Sequence, residues 1–115
     1  VYAPGVMVAE ALYALCRKLH NGILTPTQHG RAVHRLVVGT AGILPPPSGD
    51  LALVQRAEQI RGSYGCSRSA DGLYIALAEQ LAETGPAELV TFDAGMQRQA
   101  ALAAPSVTVR LLVVP

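Results

Sequence analysis

The stretch from residue 67 to residue 93 constrains the fold most, because it carries a helical pattern that leads into a strand pattern. Residues 73–82 place their apolar side chains on one continuous arc of a helical wheel and their charged side chains on the opposite arc. Gly85-Pro86 then ends the helix, and residues 87–92 form a short, mainly apolar run. The pattern predicts an amphipathic helix followed by a buried strand.

Asp71 lies at the start of this helix and falls within the apolar arc, whereas Glu79 lies opposite. A carboxylate directed toward the core must be protonated, hydrogen-bonded or paired with a cation, because burying an unpaired charge is strongly unfavourable. Asp71 is also explained by a first-turn position near a Ser67 or Ser69 cap, where the helix dipole favours an acid. The residues alone leave a functional and a structural interpretation open.

Asp93 directly follows the predicted strand of residues 87–92. In open α/β sheets, ligands bind in the crevice at the carboxyl ends of the strands, so a site is expected here. A second interpretation makes Asp93 the N-cap of a helix over residues 96–103. From its residues alone, the capping role of Asp93 is favoured.

A second strand is predicted over residues 107–114, after Pro105 breaks the preceding helix. The order strand, helix, strand in residues 87–114 is that of a βαβ unit. Its two strands should therefore be parallel and joined by a right-handed crossover.

The first helix is predicted over residues 4–19, with Pro4 in its first turn and Asn21-Gly22 at its end. Its apolar stripe consists of Val8, Leu12, Leu15 and Leu19. Glu10 lies opposite this stripe. By geometry alone it is an ordinary solvated glutamate, with small neighbours that leave space around it.

The segment Thr25-Pro26-Thr27-Gln28 predicts the start of a second helix, since it combines an N-cap Thr, a Pro at the first helical position and a Gln that closes a capping box. This helix should end near Val38 and form an αα-hairpin with the first. Its inward residues are predicted to be Ala32, Val33, Leu36 and Val37. Its outward residues are predicted to be His29, Arg31, His34 and Arg35. The favoured interpretation of this modest basic face is a solvated surface, and the weaker alternative is contact with RNA.

Residues 39–49 are rich in Gly and Pro, so at most a short edge strand is predicted there, at residues 41–44. Ser48 or Asp50 should then cap a helix over residues 51–62. The residues of this helix that should face inward are Leu53, Val54, Ala57 and Ile60.

The composition is that of one globular domain over residues 1–115, because 50% of the residues are hydrophobic and 15% are charged. The formal net charge of +1 is too small to indicate a nucleic-acid partner by itself. No apolar run approaches the ~18 residues needed to cross a bilayer, so we expect no membrane association and a cytoplasmic location.

The cysteines and histidines do not form a metal-binding pattern. Cys16 and Cys66 are far apart in sequence, which favours free thiols in a reducing cytosol. His20, His29 and His34 lack the spacing of a zinc site and are predicted to be surface or packing residues. The sequence also lacks the glycine-rich loops that bind nucleotide phosphates, which counts against a nucleotide pocket.

Three segments occur in a distinctive order: Val8-Ala9-Glu10-Ala11-Leu12, Ser69-Ala70-Asp71-Gly72-Leu73-Tyr74-Ile75-Ala76-Leu77-Ala78-Glu79, and Leu89-Val90-Thr91-Phe92-Asp93. Together they resemble the PIN-domain family, in particular the VapC-type toxins of bacterial toxin–antitoxin pairs. The segment His20-Asn21-Gly22-Ile23-Leu24-Thr25 is similar as well, so the resemblance covers nearly all of the chain. It implies a PIN-like α/β fold with an open, mainly parallel sheet flanked by helices.

For function, the resemblance implies a metal-dependent endoribonuclease that hydrolyses RNA phosphodiesters as the toxin of a toxin–antitoxin pair. Glu10, Asp71 and Asp93 would be its catalytic residues and would bind Mg²⁺ or Mn²⁺, directly or through water. Hard divalent ions prefer oxygen ligands, and a bound metal lowers the pKa of water and screens phosphate charge. The implied partners are an RNA substrate, a cognate antitoxin protein and a second copy of the chain in a homodimer.

The chain departs from the family pattern at its amino end. It has no counterpart to the family's first strand, which ends in the first catalytic Asp, so the expected domain is N-terminally truncated relative to the family. Either the sequence continues upstream, or the domain is shortened and its sheet is completed by a partner or rearranged, since the neighbours of the absent strand would otherwise have unpaired edges. The alternative function is therefore a catalytically inactive PIN remnant that acts as a protein-binding module.

Overall fold

The computed structural model of the chain describes residues 1–65 and 70–113. In this part the architecture is mixed α/β, with five α-helices and a two-stranded parallel sheet. The chain divides into two compact units, Val1–Pro45 and Pro46–Pro115, each with its own set of elements. That residues 1–115 act as one domain stays a prediction.

The first unit is the predicted αα-hairpin, formed by α1 (Val6–His20) and α2 (Pro26–Thr40). α1 begins at Val6, two residues later than the predicted start at Pro4. Pro4 lies in the turn before the helix, where its carbonyl accepts a hydrogen bond from the Met7 amide at 3.1 Å. Asn21 ends α1 as expected, with its amide donating to the Arg17 carbonyl at 2.9 Å. The turn then continues through the left-handed backbone of Gly22, whose φ is 73°.

The predicted capping box at the start of α2 is confirmed. The Gln28 amide donates to the Thr25 hydroxyl oxygen at 3.2 Å, and the Thr25 amide donates to Gln28 Oε1 at 2.9 Å. Each residue thus satisfies a backbone amide of the other. This motif depends only on residues three apart, which is why the sequence predicts it correctly.

The apolar stripes of the hairpin differ from prediction by small rotations about the helix axes. No residue of α1 or α2, both of which the structure describes in full, is buried. In α1 the partly buried stripe is Met7, Ala11, Leu15 and Leu19. Val8 and Leu12, which were predicted to lie in it, are exposed. In α2 the partly buried residues are His29, Ala32, Val33, Leu36 and Thr40. His29 therefore lies inside and Val37 outside, the reverse of the prediction.

The edge strand expected at residues 41–44 is reduced to a single parallel bridge between Tyr2 and Leu44. The Ala3 amide donates to the Leu44 carbonyl at 3.0 Å, and the Leu44 amide donates to the Val1 carbonyl at 2.8 Å. Prolines follow at once and carry no amide hydrogen, so the pairing cannot continue.

The second unit contains the predicted order of helices and strands. Its elements are a 3₁₀ turn (Asp50–Leu53), α3 (Val54–Ser63), α4 (Asp71–Ala82), β1 (Glu88–Thr91), α5 (Ala94–Ala103) and β2 (Thr108–Leu111). The predicted Val114 end of the last strand lies outside the described residues.

The third predicted helix is correct in position but not in its start. It begins as the 3₁₀ turn, whose N-cap is Gly49 with a φ of 79°, so the proposed capping by Ser48 or Asp50 is wrong. Leu53, Ala57 and Ile60 are buried as predicted. Val54 is 49% exposed, because the tighter 3₁₀ turn rotates it away from the side that Leu53 buries.

The core of the second unit surrounds α4. It consists of Leu53, Ala57, Ile60, Ile75, Ala76, Leu77, Ala78, Leu89, Ala100 and Ala104. The predicted apolar arc is confirmed at Ile75, Leu77 and Ala78, but burial extends to Ala76 as well. Even Glu79, expected on a polar face, is only partly exposed. α4 is therefore covered over most of its circumference, as in a helix at the centre of a core.

The sheet confirms the predicted parallel βαβ order. β1 and β2 pair from Glu88 opposite Thr108 to Thr91 opposite Leu111. Leu89 faces the core, and the sheet's outer face carries an ion pair in which Arg110 Nη2 lies 2.9 Å from Glu88 Oε1. Among the helices that the structure describes, none is long and apolar enough to cross a membrane.

Candidate functional site

Two of the three acidic residues predicted from sequence, Asp71 and Asp93, belong to the second unit. Asp93 connects β1 to α5 and is exposed. Its Oδ1 accepts a hydrogen bond from the Gly95 amide at 2.7 Å, which makes it the N-cap of α5. The capping interpretation of Asp93 is thus confirmed, while the helix starts at Ala94, two residues earlier than predicted.

Further hydrogen bonds hold the Asp93 backbone in place. Its amide donates to the Thr91 hydroxyl oxygen at 3.0 Å, and its carbonyl accepts from the Gln97 amide at 3.2 Å. The Leu112 amide donates to the Thr91 carbonyl at 2.8 Å, which extends the ladder just past β2. The carboxyl end of β1 is therefore a well-fixed position. Because Asp93 uses Oδ1 in the cap, Oδ2 keeps its acceptor capacity for a ligand.

Gly95 leaves room for the Asp93 carboxylate. A Cβ added at Gly95 would lie 3.0 Å from Asp93 Oδ1 and 3.7 Å from Arg98 Nη2. A carboxylate and a guanidinium therefore border the same small space at the start of α5. Arg98 is exposed, and the sequence analysis did not single it out. The missed signal is a cation placed early in a helix, where the helix dipole disfavours positive charge.

Asp71 is the first residue of α4 and is partly exposed. The preceding N-cap residue is Ala70, which has no side-chain acceptor. The alternative cap residues, Ser67 and Ser69, lie outside the described residues. At this point a carboxylate interacts favourably with the positive end of the helix dipole.

Gly72 fixes the start of α4 against α3. An added Cβ at this buried glycine would lie 2.6 Å from the carbonyl oxygen of Ala57, closer than any real side chain permits. The absence of a side chain at Gly72 thus allows the backbones to approach closely. Since Asp71 is its immediate neighbour, this packing also sets the position of the Asp71 backbone.

The topology of the second unit predicts that Asp71 and Asp93 lie at the same end of it. α4 packs against β1, and only residues 83–87 connect the two elements, so the chain must reverse direction between them. The 12 residues of α4 extend about 18 Å at about 1.5 Å per residue. Residues 88–93 extend about 20 Å at about 3.3 Å per residue. The two segments have nearly equal lengths, so we expect the reversal to bring the start of α4 near the level of the carboxyl end of β1.

Glu10, the third predicted ligand, belongs to the first unit. It lies in α1, is exposed, and shares its side of the helix with Tyr13 and Arg17. Across residues 1–65 and 70–113, His, Cys, Asp and Glu side chains form no group of three that could hold a metal ion. The three-residue ligand set of Glu10, Asp71 and Asp93 therefore stays a prediction. The donor chemistry of Asp71 and Asp93 is nevertheless the oxygen type that Mg²⁺ and Mn²⁺ prefer.

The other candidate residues have simpler roles. Cys16 is an exposed free thiol, and Cys66 lies outside the described residues. His20 and His34 are exposed, as predicted for surface residues. An open pocket of about 450 Å³ is lined mainly by residues 85–88, Ser106 and Thr108. These residues belong to the amino ends of both strands, so this pocket is separate from Asp93.

Comparison with known proteins yields no match, whether the chain is compared with family models, with curated proteins or with solved structures.

Proposed function

We propose that this chain is a metal-dependent endoribonuclease that acts as the toxin of a toxin–antitoxin pair. The observation that carries the proposal is the packing of α4 against β1 through a short connection, from which we infer that Asp71 and Asp93 lie at one end of the second unit. The resemblance of their segments to the PIN-domain family supports it. In this function, Asp71, Asp93 and Glu10 hold Mg²⁺ or Mn²⁺. The partners are an RNA substrate, a cognate antitoxin and a second copy of the chain.

The residues around Asp93 suit this chemistry. The bound metal would supply acidity to water and screen the charge of the phosphate. The cap to Gly95 holds the exposed Asp93 carboxylate through Oδ1 and leaves the acceptor capacity of Oδ2 for a metal. Arg98 borders the same space, and a guanidinium forms short, bidentate hydrogen bonds with phosphate oxygens. Arg98 would therefore orient the scissile phosphate against the acidic residues.

The direct test is a calorimetric Mn²⁺ titration of the wild-type chain, Asp71→Asn and Glu83→Gln, followed by cleavage of a cellular RNA pool. Glu83 is an exposed carboxylate just past the other end of α4, so its variant controls for the loss of one negative charge. Asp71→Asn should lose Mn²⁺ binding and reduce cleavage by about 100-fold or more, whereas Glu83→Gln should match wild type. Circular dichroism of both variants verifies that they are folded. Cleavage that is unchanged in Asp71→Asn would refute the proposal.

A second candidate function is an inactive PIN remnant that binds a protein. The observation that favours it is the outer side of the sheet, where Val90 and Phe92 are 54% and 66% exposed. Parallel sheets usually have both faces covered, so these side chains suit a protein contact. Folded wild-type chain that neither binds Mn²⁺ nor cleaves RNA would favour this second function over the first.

A further inference from the structure

Charge is distributed unevenly between the two units. Residues 1–45 contain four Lys and Arg residues and a single carboxylate, Glu10, which gives a formal charge of +3. Residues 46–115 contain five Arg and seven acidic residues, which gives −2. The overall charge of +1 is therefore the sum of a basic helical hairpin and an acidic second unit. A concentrated positive charge of this kind attracts polyanions.

Helical periodicity places the four cations on one flank of the hairpin. The partly buried stripes of α1 and α2 define the sides on which the helices meet. Successive residues of a helix are rotated by about 100° about its axis. Counted in this way from the outward side of its own helix, each cation lies at a positive rotation. Because helices joined by a short loop run antiparallel, equal rotations lead to the same flank. We call this set the basic flank: Arg17, Lys18, Arg31 and Arg35.

The opposite flank of the hairpin, where the rotations from the outward side have the opposite sign, is apolar. It carries Val8, Leu12 and Val37, all of which are large exposed hydrophobic residues. The hairpin is thus amphipathic across its width, with cations separated from apolar side chains. Separation of this kind distinguishes the basic flank from a surface of scattered charges.

The cations of the basic flank are exposed, whereas three arginines of the second unit form ion pairs. Within residues 1–65 and 70–113, the ion pairs are Arg56 with Glu79, Arg61 with Glu58, and Arg110 with Glu88. All three belong to the second unit. A phosphate can therefore reach the four exposed cations of the flank from solvent.

An aromatic residue stands at the edge of the flank. Tyr13 is 64% exposed, and the Arg17 guanidinium lies 6.0 Å from the centre of its ring. Exposed aromatic rings and arginine planes stack on unpaired bases, while arginine and lysine side chains bind the phosphates. An acidic peptide would use the cations but not the ring. Tyr13 therefore favours a nucleic-acid strand over an acidic protein segment.

We propose that the basic flank of the hairpin binds the backbone of single-stranded RNA and that Tyr13 stacks on one of its bases. This inference rests on the proposed function in that it takes RNA as the substrate class. It concerns a surface of residues 1–45 that is distinct from Asp71 and Asp93, and binding there needs no metal. Glu10 lies on the same flank and is its one carboxylate.

The test measures fluorescence anisotropy of a labelled 20-nucleotide unstructured RNA with the full chain in EDTA, which prevents cleavage. Arg31→Gln/Arg35→Gln should weaken binding about tenfold and reduce the slope of log K against log salt by about 1.4, since each phosphate contact on a single strand contributes about 0.7. Arg31→Lys/Arg35→Lys keeps the charge and should bind within about threefold of wild type.

The matched control is Gln55→Glu/Ala101→Glu, which lowers the net charge by the same amount at two exposed positions of the second unit. At 0.15 M salt, charges more than about 8 Å from the RNA are largely screened, so contact confined to the basic flank predicts that this variant binds RNA like wild type. Tyr13→Ala should weaken binding about threefold or more, and Tyr13→Phe should restore it because stacking needs the ring and not the hydroxyl. Circular dichroism of each variant verifies its fold.

Three results would overturn the inference: no RNA binding by the wild-type chain, an equal loss in the Gln55→Glu/Ala101→Glu control, or competition by polyglutamate as strong as that by unlabelled RNA. The last would identify an acidic polypeptide as the occupant. The two proposals can fail separately: loss of cleavage in Asp71→Asn tests the proposed function, whereas the anisotropy measurements in EDTA test the basic flank without metal or cleavage.

Discussion

Arg56 and Glu79 form a bidentate ion pair between α3 and α4, with Arg56 Nε 2.7 Å from Oε1 and Nη2 2.8 Å from Oε2. The same Nη2 donates to the Ala103 carbonyl at the end of α5, at 2.9 Å. One side chain thus joins three helices of the second unit. The hydrogen bonds to Glu79 raise the pKa of the Arg56 guanidinium above its ordinary value. As far as the titration of Arg56 is concerned, this contribution to stability is fully present below the arginine pKa of the unfolded chain and is lost as the pH rises through the raised pKa of the folded state.

Glu79→Gln should lower the free energy of unfolding by about 1–2 kcal/mol, because it removes the charge from a bidentate pair whose carboxylate is only 21% exposed. Glu58→Gln is the matched control, since Glu58 pairs with Arg61 but is 64% exposed. An exposed pair of this kind contributes about 0.5 kcal/mol or less. Urea denaturation at neutral pH measures both. Equal losses in the two variants would show that the connection between the three helices does not stabilise the unit.

Gly72→Ala should destabilise the second unit by about 1–3 kcal/mol, because the new methyl group would meet the Ala57 carbonyl oxygen at 2.6 Å and force α3 and α4 apart. Gly62→Ala is the control within α3, where an added Cβ meets nothing within 4 Å. There the helix propensity of Ala should stabilise the protein by about 0.5–1 kcal/mol. Opposite shifts of the urea midpoint are expected, and a stable Gly72→Ala variant would contradict the close approach of the two helices.

Asp93 offers a way to separate capping from metal binding. Asn retains the side-chain oxygen that caps α5, so Asp93→Asn should keep wild-type stability. Asp93→Ala should lose about 0.5–2 kcal/mol, because the Gly95 amide loses its acceptor. If Asp93 also binds metal, both variants should lose RNA cleavage although only Asp93→Ala is less stable. If Asp93→Asn cleaves RNA like wild type and only the less stable Asp93→Ala variant loses cleavage, Asp93 acts as a cap and does not bind metal.

The features that the sequence predicts well depend on residues close together in the chain. The capping box joins Thr25 to Gln28, and the Asp93 cap reaches only to Gly95. The parallel pairing of β1 and β2 also follows, because a helix between two strands in one sheet leaves little choice of direction.

The features that the sequence does not predict depend on residues distant in the chain. Arg56 pairs with Glu79 across 23 positions, and Gly72 meets Ala57 across the interface of two helices. Neither contact leaves a periodic pattern that a helical wheel could reveal. The predicted inward position of Val54 fails for a related reason, since the 3₁₀ turn before it changes the rotation of α3. A helical wheel gives the directions of side chains relative to one another within one helix. It does not show which side of that helix packs against a neighbouring element.

Thr25→Ala should destabilise the start of α2 by about 1 kcal/mol, because the Gln28 amide loses the hydroxyl that accepts its hydrogen bond. The effect should be readily visible, since α2 has no buried residue to hold its first turn by packing. Amide hydrogen exchange across residues 27–31 measures it locally, and Thr25→Ser should exchange like wild type because it retains the hydroxyl. Thr27→Ala serves as the control: it lies in the same turn and is exposed, so the higher helix propensity of Ala should leave exchange unchanged or slower. Faster exchange in both alanine variants would mean that the turn depends on general threonine contacts and not on the capping box.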